Sequence, residues 1–473
     1  MMVLAIVAAL AVLALCLFDW RRGLLACLLV GFAQDPLRKL VPGRPVVLVV
    51  AVAVCFAVCL VGLFASGERL ALRRLFRWFP RVRPAATFFV LIVLIQTLVT
   101  LLRTGNPVLA GIGLLAYLSP PLALLLAERY AVDFTHLQRW LRWYLAGALV
   151  AGGTVILQSA GWNPAAFSSV GAELVHGAGG PIRMLSGMMR TSEIAAWHAA
   201  AGACLLFAWA IGARTVKVRW FGGVAAAGLL ATILFTGRRK MLAEIALFVL
   251  LYAFLALQHR RGASRLLQVG GVALVAAVIG LQLRTTPDEA SALGVYLERG
   301  ISVFADAGER LGTMTIGMFG NIVRRNGFFG AGAGTGAQGS QYFGGGIEIV
   351  GGAAEGGVGK VLAELGVPGL IALLWLAIAL GRAILRIARF ARTCPAYQAL
   401  RIYGLVAFLP ANAAVFLTAH QVYGDPFVLI VLGLVAGSIL AYPKIVLRER
   451  QWLAALAAWQ RSTADAEPIR SHG

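Results

Sequence analysis

Long apolar runs, separated by short basic or polar stretches, fill most of the chain. About thirteen are long enough, or nearly so, to cross the roughly 30 Å hydrocarbon layer of a bilayer. They run Met2–Phe18, Gly23–Ala33, Val46–Ala65, Ala85–Leu102, Val108–Ala127, Leu141–Ala160, Glu193–Gly212, Trp220–Thr236, Met241–Leu257, Leu266–Leu283, Val358–Leu380, Ile402–Thr418 and Pro426–Tyr442. The second is short enough to be re-entrant. Alternating strand patterns are absent, and a helix satisfies its own backbone groups in lipid, so the runs predict helices. The expected fold is all-α. A polytopic membrane domain covers residues 1–443, and two long outer loops, 161–192 and 284–357, form a cap over the site. A cytoplasmic tail at 444–473 carries Trp452, Leu453, Leu456 and Trp459 and reads as a surface amphipathic helix with a polar end. Within the second loop, Arg310–Arg325 mixes apolar and polar residues like a helix lying at the interface. No internal repeat is visible.

The basic residues orient the spans. The stretch from Glu68 to Pro84 holds Arg69, Arg73, Arg74, Arg77, Arg81 and Arg83, which the positive-inside rule places in the cytoplasm. Alternation then puts the other strongly basic loops on the same side, including Arg21/Arg22, Arg260/Arg261/Arg265 and Arg382/Arg386/Arg389/Arg392. Two segments run against the rule. The turn Gly237-Arg-Arg-Lys240 falls outside, as does the segment with Arg38, Lys39 and Arg44, which follows the short second run.

Composition agrees with a membrane protein. Of 473 residues 60% are hydrophobic and 13% charged, against about 25% charged in soluble domains. Mean hydropathy is +0.83. The net charge of +22 comes from 42 basic and 20 acidic residues. The basic residues are scattered between apolar spans, which excludes nucleic acid and fits anionic membrane lipids. The first run lacks a basic leader and is expected to stay as a membrane helix. Six cysteines lie mostly within apolar runs without a C-x-x-C pair, so they read as core thiols.

Chemistry concentrates at the outer helix ends. Arg238, Arg239 and Lys240 read either as interfacial snorkelling residues or as a phosphate clamp of guanidinium forks and an ammonium. Lys240 and Glu244 are four apart at the start of a helix and can orient one another. Arg190 ends the first loop as a further outer cation, with Ser192 as the expected N-cap and Glu193 suited to the helix N-terminus. His198 reads as a core histidine. The run Gly327–Gly339 contains G-x-G-x-x-G at Gly334, Gly336 and Gly339 but follows no strand, which rules out a dinucleotide site. Its glycines are instead expected to let backbone amides approach an anion or a sugar. Gly359-Lys360 lacks the other residues of a P-loop. Glu355 reads as a solvated loop residue or as a general base. Lys360 and Glu364 read as a helix-surface pair. His420, Tyr423 and Asp425 cluster in the last outer turn.

Thr236-Gly-Arg-Arg-Lys240, Asn326-Gly-Phe-Phe-Gly-Ala-Gly-Ala-Gly-Thr335 and Ala354-Glu-Gly-Gly-Val-Gly-Lys-Val-Leu-Ala-Glu-Leu-Gly-Val-Pro-Gly-Leu370 together resemble the bacterial O-antigen ligase and Wzy-type polysaccharide polymerase family. The resemblance covers the chain from about Arg183 onward and rests on short motifs. It implies a metal-independent, inverting glycosyltransferase of the GT-C kind, without a cofactor, in the bacterial inner membrane and working on the periplasmic side. Its partners would be an undecaprenyl-pyrophosphate-linked glycan donor and acceptor, together with a chain-length regulator. The family's arginine after the small-residue turn matches Arg238 or Arg239, and its arginine before the mid-chain helix matches Arg190. Lys240, Lys360 and His420 are further candidates for substrate binding. Ligases of the family carry a histidine where this chain has Glu355, which favours a polymerase with glutamate as base. A ligase acting on a lipid or protein acceptor stands as the alternative within the class. A flippase or transporter is the alternative outside it, and would call for ionisable residues in mid-span and a symmetric repeat.

Overall fold

The computed structural model describes residues 2–70, 72–168, 170, 174–177, 180–259, 262–282, 319–336 and 356–466. Glu355 and most of loop 284–357 fall outside these stretches. Among the described residues the fold is helical apart from one short hairpin. In order, the helices are α1 (Met2–Phe18), α2 (Trp20–Leu40), α3 (Ala51–Ala65), α4 (Leu72–Trp78), α5 (Val82–Thr104), α6 (Pro107–Tyr130) and α7 (Phe134–Ser159). They continue as α8 (Ser192–Ile211), α9 (Val216–Thr236), α10 (Lys240–Ala256), α11 (Gly262–Gln282), α12 (Phe319–Asn326), α13 (Gly357–Ala391), α14 (Ala396–Thr418) and α15 (Pro426–Ala466). Among the described residues, nine helices are long and apolar enough to cross a membrane, which makes this a multi-pass membrane protein. The hairpin pairs β1 (Leu174–Gly177) with β2 (Gly180–Arg183) in antiparallel register. Its sequence lies in the first long loop and gave no strand signal.

Three expectations are refined. The short second run is part of a longer, 21-residue helix, α2. Gln34, Asp35, Arg38 and Lys39 continue the helix beyond the apolar run because they are buried against protein. The amphipathic tail is not a separate helix: α15 passes through Pro443 and continues to Ala466, with Trp452 and Leu453 exposed. Of Arg310–Arg325, residues 319–325 belong to α12, whose Ile322 packs on Leu362 and Ala363 of α13. The remainder lies outside the described residues.

Helix α8 is the centre of the bundle. Nearly all of it is buried, against α7, α9, α10 and α14. Its run of alanines and glycine lets neighbouring backbones come close, as small residues do in membrane bundles. His198 is fully buried here, its Nδ1 3.1 Å from the Tyr144 hydroxyl, among Phe32, Trp197 and Phe427. It is a core histidine, as its position predicts.

Polar contacts tie the two ends of the bundle separately. At the arginine-rich end, Arg21 and Arg129 reach Glu68 at 2.7 and 2.6 Å, while Arg74 and Lys444 reach Glu128 at 3.6 and 3.1 Å. At the other end meet the last turns of α2, α7, α9 and α14 and the first turns of α8, α10, α13 and α15. Arg38 and Lys39 lie at this second end, together with Arg190 and the turn Gly237–Lys240.

Candidate functional site

The loop before α8 is fixed by buried side chains from two other helices. Gln158 Oε1 of α7 accepts from the backbone amides of Ser186 and Gly187 at 3.1 and 2.8 Å. Lys39 Nζ of α2 donates to the carbonyls of Gly187 and Met189 at 2.8 and 2.6 Å. The ammonium satisfies carbonyls whose backbone has no regular structure, which holds the loop without a strand or helix. The loop then delivers Arg190 to a position between two aspartates. Its Nη1 lies 3.1 Å from Asp35 Oδ1, its Nη2 pairs with Asp425, and its backbone amide donates to Asp35 Oδ2 at 3.0 Å. Burial opposes the guanidinium charge, but Asp425 and Asp35 outweigh it and raise its pKa. Arg190 is therefore committed to two carboxylates and joins α2, the first loop and α15.

The next turn places the remaining cations. Gly237 ends α9 and Lys240 opens α10. Arg238 Nε donates to Ser192 Oγ at 3.1 Å. Burial pulls its pKa below the ordinary arginine value, and among the described residues no carboxylate pairs with it. Arg239 occupies the N-cap position of α10. Lys240 pairs with Glu193 and also reaches Gln421 Oε1 at 3.2 Å. Two local expectations are corrected. Thr191, extended at φ −136° and ψ 152°, is the N-cap of α8, its hydroxyl accepting from Ile194 N at 3.4 Å; Ser192 is free of that role and meets Arg238. Glu244 does not pair with Lys240. It is fully buried and its Oε1 accepts from Asn412 Nδ2 at 2.8 Å.

Asn412 links this centre to the last turn. Its side-chain oxygen accepts from Trp197 Nε1 at 2.8 Å, and Tyr423 donates to its backbone carbonyl at 2.9 Å. Tyr423 belongs to the short 3₁₀ turn Gln421–Gly424, which His420 precedes as its N-cap. His420, Gln421, Tyr423 and Asp425 thus flank the cations that the chain supplies from Arg190 and from the Arg238–Lys240 turn.

Glu355 itself falls outside the described residues. Its neighbour Gly356 is the N-cap of α13, and Gly357 packs against Phe416, whose ring is edge-on to Tyr423 at 5.4 Å. The segment Gly356–Lys360 and the turn Thr236–Lys240 therefore flank the same end of α14. Lys360 and Glu364 are not a surface pair. Lys360 is buried with its Nζ 5.9 Å from the centre of the Tyr117 ring. Glu364 is fully buried and accepts from the Tyr117 hydroxyl at 2.6 Å and from Gly336 N at 2.9 Å.

The glycine run serves α13 rather than an anion in its described part. At Gly366 the helix breaks, with φ +68°, a value glycine tolerates, and Pro368 follows without an amide hydrogen. The carbonyls of Ala363 and Glu364 lose their helical donors. Ala331 N and Gly332 N replace them at 2.7 and 3.1 Å, and Val367 N donates to Phe328 O at 2.9 Å. Gln96 and Thr100 of α5 bind the other edge, through Gln96 Nε2 to Phe329 O at 2.7 Å and Thr100 Oγ1 to Ala333 O at 2.7 Å. The run is an extended wedge that repairs a broken helix, so these amides are unavailable to an anion.

The structure brings together Arg190, Arg238, Arg239, Lys240 and the His420 turn, and sets Lys360 beside Tyr117. Asp35, Lys39, Glu193 and Gln421 were missed as partners. The sequence signal for the first two was the stripe Gln34, Asp35, Arg38 and Lys39, four polar residues sharing one face at a helix end. A scan of known protein-family models and a search of curated proteins each found no match to this chain.

Proposed function

We propose that the chain is an inner-membrane glycosyltransferase that polymerises oligosaccharide units carried on undecaprenyl pyrophosphate, with its site on the periplasmic side. The observation that carries this reading is Arg238: a largely buried guanidinium, held by Ser192, without a carboxylate partner among the described residues, in a turn with two further cations. Burying a charge is costly unless it is paired, and an anionic ligand supplies what the chain does not. In this reading all thirteen apolar segments cross the bilayer, and the basic end of the bundle faces the cytoplasm. The helix ends around Arg190 then face the periplasm, where lipid-linked glycans are assembled.

The chemistry follows from where charge develops. An acceptor hydroxyl attacks the anomeric carbon, the bond to the pyrophosphate oxygen breaks, and its electron pair leaves with the pyrophosphate. Arg238 and Arg239 stabilise the charge gathering on those oxygens. Lys240, shared with Glu193, orients rather than neutralises. Glu355 takes the hydroxyl proton, and a single displacement inverts the anomeric configuration. The departure from the ligase histidine at Glu355 supports polymerisation over transfer to a lipid or protein.

The test is polymer formation by the purified full-length protein from synthetic undecaprenyl-pyrophosphate-linked repeat units. Longer glycans should appear, and Arg238→Ala should slow their formation about 100- to 1000-fold. Folded wild-type protein that elongates none of a panel of such donors would sink the proposal.

A further inference from the structure

At the arginine-rich end of the bundle, away from the site above, a shallow open cleft lies between the turn entering α5 and the later turns of α13. Arg81 enters it from the turn, and Arg382 and Arg386 from one face of α13. Phe79 and Ala383, both buried, form its apolar floor. All three arginines are exposed, and none of their guanidinium groups makes a hydrogen bond or ion pair with a described residue. Arg74 on neighbouring α4, by contrast, has Glu128 at 3.6 Å.

Like charges four apart on a helix repel, and a third guanidinium from a distant segment adds to the strain. Guanidinium forks match phosphate oxygens in geometry and charge. Beside the cleft, Ile378 and Leu385 are exposed on α13 and offer an apolar surface to acyl chains. We propose that this cleft holds the phosphate headgroup of an anionic membrane phospholipid, its chains lying along α13. Basic pockets between helices at a membrane surface are suited to such headgroups. A free phosphate would leave the apolar flank unused.

The test is native mass spectrometry of the delipidated full chain titrated with phosphatidylglycerol, with phosphatidylcholine in parallel. Wild type should take up one phosphatidylglycerol saturably and bind phosphatidylcholine weakly. Each arginine is worth about fivefold in affinity, so R81Q/R382Q/R386Q should lower it on the order of 100-fold. R69Q/R73Q, exposed at the same end but outside the cleft, should leave it unchanged. Should the triple variant not fold, R382Q and R386Q singly carry the same test. Equal losses in cleft and control variants, equal binding of phosphatidylcholine, or full displacement of the lipid by inorganic phosphate would each overturn the assignment.

Discussion

The Lys240 ammonium is paired with the Glu193 carboxylate across the gap between α10 and α8, while Glu244, one turn along Lys240's own helix, faces Asn412. The pair is mostly shielded, with side chains 19% and 8% exposed. It lies between surface pairs, worth under about 1 kcal/mol, and fully buried ones, whose breaking costs about 3–5 kcal/mol. Lys240→Met or Glu193→Gln should therefore destabilise the protein by about 1–3 kcal/mol. A double-mutant cycle on thermal unfolding in detergent should return a coupling between them; additive losses would show that the pair contributes nothing.

Arg238 should behave differently from Lys240. Its only described side-chain partner is the Ser192 hydroxyl, so Arg238→Ala leaves no carboxylate stranded. Loss of one charge-stabilising donor in a transfer reaction costs about 100- to 1000-fold in rate. Arg238→Ala should lose that much in polymer formation at near-wild-type unfolding temperature, whereas Lys240→Met should lose stability as well. Equal activity in wild type and Arg238→Ala would remove this residue from the reaction.

The helices were legible because lipid imposes length and apolarity on them: all of the expected runs lie in helices at least in part. That Arg190, Arg238 and Lys240 share one end of the bundle, opposite the arginine-rich end, was legible from alternation. The pairings were not. Arg190 finds Asp35 and Asp425, 155 and 235 residues away, and no local spacing encodes such a contact. Spacing misled at Lys240 and at Lys360, because four-apart pairs on a helix face compete with partners on other helices. The Gly327–Gly336 stretch misled in another way: glycine permits a close approach without saying to what.

Arg190 should prove structural as well as cationic. Removing one member of a buried ion pair costs about 3–5 kcal/mol, since the partner charge stays buried and unpaired. Arg190→Ala strands both Asp35 and Asp425 and should destabilise the bundle by at least about that much. Arg190→Lys keeps the charge but cannot span two carboxylates as a fork does, and should fall between. Wild-type unfolding of Arg190→Ala would show that the aspartates find other partners.

Glu68 gives the arginine-rich end a pH dependence. Burial alone would raise its pKa, but hydrogen bonds and charge from Arg21 and Arg129 lower it below the ordinary 4.5. A carboxylate depressed on folding stabilises the protein above its unfolded pKa, and that stability is lost as pH falls through the folded value. Between pH 7 and about 4.5 the contribution is constant, and below that it declines. Glu68→Gln should therefore lower stability at pH 7 and show a shallower loss than wild type on acidification. Parallel curves for the two proteins would exclude Glu68 as the titrating group.

Glu364 and Gly332 test the repaired break in α13. Both oxygens of the Glu364 carboxylate accept, one from Tyr117 and one from Gly336 N. Glu364→Gln turns one acceptor into a donor facing a donor, and a buried polar group left unsatisfied costs about 1–3 kcal/mol. Tyr117→Phe should cost less alone, since the carboxylate keeps Gly336. Gly332 has φ +113° and sits against Thr100, so a methyl group there meets both a strained backbone and the α5 hydroxyl. Gly332→Ala should push the wedge off the freed carbonyls of Ala363 and Glu364. Hydrogen exchange at Ala331, Gly332 and Val367 would report that release, with protection falling in Gly332→Ala and holding in a distant control such as Gly153→Ala, where a Cβ meets nothing. Unchanged protection at those three amides would mean that the break in α13 is held by something other than the glycine wedge.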